Sequence, residues 1–176
     1  EILYGSPLSL KQVSRFLGNA PGGVRMKIWV DADACPKVIK EVIFKKSCRL
    51  KIDVTLVANS YLQIPDAPNI SFIQVDQGAD VADFYIIEHL NKDDLVITAD
   101  IPLASLVVEK EATAINPRGE IYTEENISER LSVRDFMQDL RDSGLQTGGP
   151  AAFGAKDKEQ FTNSLDRLLT KMMARN

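Results

Sequence analysis

From Met26 onward, short apolar runs of strand length alternate with stretches of helical period, and this alternation restricts the fold more than any other feature. Lys27 to Val30 reads as a first strand, and Pro36 to Ser47 as a helix with proline in its first turn. Ile52 to Ala58 and Ile70 to Val75 read as the next two strands, and Asp80 to Leu90 as a second helix. Leu95 to Thr98 is a fourth strand, Pro102 to Lys110 a helix, and Thr113 to Ile115 a fifth strand. Strands separated by helices need crossover connections. The expected class is therefore α/β: a mostly parallel central sheet of about five strands with helices on both faces. Leu95-Val96-Ile97-Thr98, nearly all apolar, suits a central strand covered on both sides.

After Ile115 the pattern changes. Asn116-Pro117-Arg118-Gly119 is a turn cluster, and Glu120 to Thr123 could return as a short hairpin strand. A long helix is expected from Thr123 or Glu124 through Leu140, ending near Gly144. Thr147-Gly148-Gly149-Pro150 breaks the chain before a last helix over Asp157 to Met173, a helical appendage to the sheet. Residues 1–25 lack the apolar centre of a signal peptide and end in Pro21-Gly22-Gly23, just before the strand pattern opens at Met26. They read as an N-terminal extension, added or upstream of the natural start, with a short amphipathic helix over Ser9 to Leu17 and no evident chemistry. Residues 26–176 then form a single domain.

The 176 residues, 44% hydrophobic and 26% charged, suit one soluble domain with a full core. No apolar run reaches the roughly 18 residues of a membrane span. A net charge of −4 leaves no global positive field for nucleic acid, so such a substrate needs a local basic patch and metal ions to offset an acidic site. Cys35 and Cys48 fall at opposite ends of one expected helix, roughly 20 Å apart at ~1.5 Å per residue and beyond disulfide reach. That usage suits a reducing cytoplasm.

In an open parallel sheet, functional groups collect beyond the carboxyl ends of the strands. Asp31 and Asp33 follow the first strand, Asp100 follows the fourth, and Asp80 and Asp83 start the helix after the third, one turn apart. Five carboxylates thus converge on one edge from three chain segments. Such crowding is repulsive unless compensated, and Mg²⁺ or Mn²⁺ prefers this oxygen-rich setting. Each aspartate also has an ordinary reading: Asp80 as an N-cap with Asp83 complementing the helix dipole, Asp100 as a helix start, Asp33 as a turn residue. Asp31, at the end of a buried strand, is the hardest to assign to local structure alone.

At these residues the chain resembles the YaiI/YqxD family of bacterial proteins, placed among PIN-like nuclease domains. The resemblance rests on Val30-Asp31-Ala32-Asp33-Ala34-Cys35-Pro36, Ala58-Asn59-Ser60 and Gly78-Ala79-Asp80-Val81-Ala82-Asp83. It extends through Ile97-Thr98-Ala99-Asp100-Ile101-Pro102-Leu103-Ala104, Asn116-Pro117-Arg118-Gly119 and Gly148-Gly149-Pro150-Ala151-Ala152-Phe153. It implies a PIN-like fold and, by analogy, Mg²⁺- or Mn²⁺-dependent ribonuclease chemistry. Asp31, Asp80 or Asp83, and Asp100 occupy the places of the PIN-like metal carboxylates. Asp33 belongs to the family pattern rather than to the wider PIN-like one.

Further candidates flank this edge. Asn59 and Ser60 could orient a phosphate, although Ser60 with Gln63 also fits a capping box. Arg118 follows the fifth strand and could hold a phosphate bidentately or pair with a structural carboxylate. Arg130, Arg134, Arg141, Lys156 and Lys158 could form a basic rim or simply a solvated helix face. Cys35 has no evident base beside it and reads as buried or capping; His89, the single histidine, reads as packing or surface. The leading expectation is a metal-dependent phosphodiesterase acting on RNA or another nucleic acid. Asp31, Asp33, Asp80, Asp83 and Asp100 would hold the metal, and Arg118 would steady developing charge. One alternative is a haloacid-dehalogenase-like phosphatase with Asp31 as nucleophile, though a convincing lysine is missing. The other is a non-catalytic PIN-like module that binds RNA or protein.

Overall fold

Six strands and five helices follow one another as the alternation requires, in a computed structural model that describes residues 25–146, 148–149 and 151–175. The expectations for the N-terminal extension and its Ser9 to Leu17 helix lie outside these residues. Strand β1 (Lys27–Asp31) leads through a single 3₁₀ turn (Ala32–Ala34) into helix α1 (Lys37–Leu50). Strands β2 (Asp53–Ala58) and β3 (Ile70–Gln74) follow, then α2 (Val81–His89), β4 (Leu95–Ile97), α3 (Ile101–Glu109) and β5 (Thr113–Ile115). A short β6 (Ile121–Tyr122) returns antiparallel to β5, and α4 (Glu124–Asp142) and α5 (Ala155–Met173) complete the described chain.

Local chemistry sets the boundaries. Pro36 precedes α1, where its missing N–H costs no intrahelical bond. Lys51 ends that helix in the left-handed region. Thr123 and Asn126 exchange side-chain-to-backbone bonds in a capping box that starts α4. The connection from β2 to β3 contains no helix, so Ser60 and Gln63 have no helix to cap, and the capping-box reading of Ser60 is corrected.

The strand order is β3-β2-β1-β4-β5-β6, parallel throughout except for β6. Alternate residues serve opposite faces. Ile28, Val30, Leu56, Leu95 and Ile97 pack with Ile39 and Ile43 of α1 and with Phe161, Leu165 and Leu169 of α5. Trp29, Val57, Val96 and Ala114 pack with Ile86 of α2, Leu103 and Val107 of α3, and Ile127 of α4. The last helical segment is thereby built into the core, since Phe161 and Leu165 are fully buried. Each such side chain contributes roughly 1.5–3 kcal/mol on leaving water.

Successive crossovers run outward from β1 to β2 and β3, then jump back to β4 on the other side. The β1–β4 pair is thus a topological switch point, where loops part and leave a crevice beyond the strand ends. No helix among the described residues is long and apolar enough to cross a membrane.

Candidate acidic site at the switch point

Asp31 ends β1 and Thr98 follows β4, so the switch point sets them side by side. The Thr98 hydroxyl donates to Asp31 Oδ2 at 2.8 Å, and its oxygen accepts the Asp100 N–H at 3.0 Å. Asp100 in turn caps α3, its Oδ1 accepting from the Leu103 N–H at 2.8 Å. Its ordinary helix-start role is therefore real, and it uses one oxygen only. Asp31 is buried, 8% exposed, which costs a carboxylate its hydration. Burial pushes its pKa up, the Thr98 bond pulls it back, and Asp100 and Asp33 push it further up.

Asp83 comes to the same place from α2. Its carboxyl is pushed up to about 7, first by burial and then by the charges of Asp100, Asp31 and Asp80. Asp80 precedes the helix with φ of 66°, a left-handed conformation that aspartate tolerates better than most residues. It makes no side-chain capping bond, so the N-cap reading does not consume its carboxylate. Asp31, Asp80, Asp83 and Asp100 thus share one electrostatic neighbourhood, and among the described residues no lysine, arginine or histidine forms an ion pair with any of them.

That donor set suits a hard divalent cation, which would relieve the mutual repulsion. The side chains do not close a ready-made cage, since no group of three or more His, Cys, Asp or Glu among the described residues stands in metal-binding array. Mg²⁺ does not require one, because it keeps several waters and takes one or two protein carboxylates. The fit is chemical, through carboxylates without a described cationic partner gathered at the carboxyl edge of the sheet.

Asp33 is turned to a different task. Its Oδ2 accepts the Asn59 N–H at 2.9 Å, and the Asn59 carbonyl accepts from Gln77 Nε2 at 3.1 Å, stitching together the loops after β1, β2 and β3. Ser60 is exposed in the same loop. Of the two roles open to Arg118, the structure fills the structural one: Nη1 pairs with Asp157 at 3.0 Å, Nη2 donates to the Ala151 carbonyl, and the guanidinium lies 5.7 Å from the Phe153 ring centre. It ties the turn after β5 to the start of α5. Arg130 pairs with Glu120, while Arg134 and Arg141 bond to neighbours on their own helix, as a solvated face would. Cys35 is buried with its thiol pushed up to about 12, chiefly by burial, and is unreactive in that state. His89 stacks on Tyr85 with ring centres 4.1 Å apart.

Residues 29–171 match the family described as Uncharacterized BCR, YaiI/YqxD. The chain belongs to the YaiI/YqxD family. A UPF0178 protein of Desulfotalea psychrophila is 58% identical over 147 residues, covering 84% of this chain and 99% of that protein. One from Maridesulfovibrio salexigens is 57% identical over 150 residues, with 85% and 99% covered, and one from Shewanella halifaxensis is 58% identical over 146, with 83% and 97% covered. Among solved structures, a homospermidine synthase from Legionella pneumophila in complex with NAD has a TM-score of 0.41 at 16% identity, over 73% of this chain and 36% of that one. That likeness is too loose to carry an argument.

The YaiI/YqxD match spans every residue of the acidic edge. The resemblance drawn from the motifs therefore holds at family level, and the doubly wound sheet is compatible with the PIN-like description. Three residues at this edge of the YaiI/YqxD fold carry no role in the sequence reading: Thr98, Asn116 and Tyr122. Thr98 stands in an otherwise apolar strand run two residues before Asp100, and a buried hydroxyl there needs a partner. Asn116 opens the turn after β5, its Oδ1 accepting from the N–H groups of Arg118 at 2.9 Å and Glu120 at 3.0 Å.

Proposed function

We propose that this chain is a metal-dependent phosphodiesterase acting on RNA or another nucleic acid, with Asp31, Asp80, Asp83 and Asp100 as the carboxylate set for Mg²⁺ or Mn²⁺. The observation that carries this reading is the gathering of Asp31, Asp80, Asp83 and Asp100 at one edge of the sheet, with Asp31 and Asp100 linked through Thr98 and no described cation paired to any of the four. Burial and the neighbouring charges there push the Asp83 carboxyl up to about 7. A bound divalent ion would supply Lewis acidity at phosphorus and ease deprotonation of a coordinated water. Asp31 is held in one orientation by Thr98, and Asp100 keeps Oδ2 uncommitted beside it. Asp83 gives up its proton as ligands form, so ion binding is expected to weaken below about pH 7. Asp33 supports the loop architecture rather than the ion, through its bond to Asn59.

The phosphatase alternative needs a lysine beside the Asp31 nucleophile. No described lysine is paired with Asp31, which favours the phosphodiesterase reading. The decisive experiment combines calorimetric Mn²⁺ titration with a cleavage screen over single-stranded and duplex RNA and DNA. Wild type is expected to bind Mn²⁺ and cleave at least one class, and Asp31→Asn and Asp100→Asn to lose both properties. Undiminished cleavage by either variant overturns the assignment, and Mn²⁺ binding without turnover on any substrate supports the non-catalytic module instead.

A further inference from the structure

Tyr122 sits on the antiparallel strand β6 opposite Ala114, with its ring buried in the cluster that contains Leu103, Val107 and Ile127. Its hydroxyl reaches the carboxyl edge of the sheet, where Asn116 Nδ2 donates to it at 3.2 Å. The direction of that bond is settled by the rest of the Asn116 amide. Oδ1 is occupied by two backbone N–H groups, so the nitrogen must face the phenol. A phenol oxygen that accepts still has its own proton to donate. Among the described residues no group accepts that proton. Asn116 follows β5 and Asp100 follows the adjacent β4, and the Asp100 charge reaches the Tyr122 phenol, so the spare donor lies at the acidic edge of the sheet.

We propose that Tyr122 donates its phenolic hydrogen bond to a phosphoryl oxygen of a substrate held at this edge, a contact that rests on the phosphodiesterase reading. The surrounding carboxylates can only accept, so a phosphate entering between them needs a donor, and a neutral O–H supplies one without drawing a counter-charge into a buried site. Asn116 fixes where the phenol oxygen sits, and the packed ring fixes its direction, so the donor is organised before the substrate arrives. Burial, outweighing the Asn116 bond, keeps the phenol protonated well above neutral pH.

The test pairs kinetics with a binding measurement that does not need turnover. Tyr122→Phe retains the ring and is expected to lower kcat/KM about 10- to 100-fold. Calorimetry with Mg²⁺ and inorganic phosphate is expected to show at least fivefold weaker phosphate binding in the variant. Circular dichroism reports whether the variant folds; if it does not, 3-fluorotyrosine placed at position 122 replaces it, and its ¹⁹F resonance should move when Mg²⁺ and phosphate are added together. Wild-type cleavage with an unchanged Tyr122→Phe rate and phosphate affinity overturns the Tyr122 contact and leaves the phosphodiesterase reading standing. Tyr122-dependent phosphate binding without cleavage supports the contact and overturns turnover. A ¹⁹F resonance unmoved by Mg²⁺ and phosphate, or absence of phosphate binding in wild type, overturns the contact.

Discussion

The hydroxyl of Thr98 holds the carboxylate of Asp31 at 2.8 Å at the point in the sheet where the connections leaving two paired strands, β1 and β4, run off in opposite directions. The same oxygen receives the backbone N–H of Asp100, so one threonine positions both carboxylates. Thr98→Val keeps the volume and removes the hydroxyl, leaving a buried carboxylate oxygen without its partner. Its cost should be about 1–3 kcal/mol in urea unfolding at pH 8, with Mn²⁺ affinity reduced. Thr98→Ser, which restores the bond, should recover most of both; equal stability of the valine variant and wild type would contradict the role.

Asp83 makes the ion-free protein less stable as pH rises. Its folded-state carboxyl titrates near 7 against an ordinary 3.8, so the folded form holds the proton more tightly than the unfolded chain. The resulting stabilisation is full below about pH 4 and is lost as pH rises through 7. Because the group is half-exposed, screening reduces the effect to about 1 kcal/mol. Asp83→Asn should therefore unfold at higher temperature than wild type at pH 8 and at nearly the same temperature at pH 4.5. Scanning calorimetry at the two pH values, without divalent ions, checks the crossover.

On the opposite edge of the sheet, Asp94 is 1% exposed and accepts from the Lys27 N–H at 3.0 Å, Trp29 Nε1 at 3.1 Å and the Asn91 N–H at 2.9 Å. Asp94→Ala strands these donors and should cost about 3 kcal/mol or more. Trp29 is the single tryptophan of the chain, so its fluorescence reports the loss directly. Divalent-ion affinity measured on the folded fraction should stay unchanged, because this carboxylate lies away from the switch point.

Gly119 has φ of +93°, and a Cβ there would meet the backbone carbon and oxygen of Gln160 at 2.7 Å. Gly119→Ala combines strain with a clash against helix backbone and should destabilise by about 2 kcal/mol or more. Gly149→Ala, with nothing within 4 Å of its Cβ position, serves as the control and should change stability little. Equal unfolding midpoints for the two variants would show that the turn after β5 is not seated on α5.

Most of the architecture was readable from periodicity because the strands are short, mostly apolar runs separated by turn residues or helical segments. Leu95–Ile97 and Thr113–Ile115 show this most plainly. The convergence of Asp31 and Asp100 was likewise readable, since both terminate parallel strands and topology alone carries them to one edge. Beyond that, sequence spacing has no view of which side-chain partner wins. Asp33 could face a cation or a backbone N–H, and Arg118 a phosphate or a carboxylate. In both cases the outcome depends on a loop or helix distant in sequence, Asn59 for one and Asp157 for the other. Tyr122 escaped notice for a related reason. A tyrosine in a short hairpin reads as core, and only the fixed Asn116 amide shows that its hydroxyl oxygen accepts and keeps its own proton to donate.

The placement of α5 carries a consequence for synthesis. Phe161, Leu165 and Leu169 cover the same face as Ile28 and Val30, so the strand translated early is sealed by a helix translated late. Contacts so distant along the chain are slow to form, and until they do that side of the nascent sheet stays greasy and open to wrong partners. A ribosome-stalled chain ending before Ala155 should therefore be held by a chaperone, and release should coincide with emergence of the last helix.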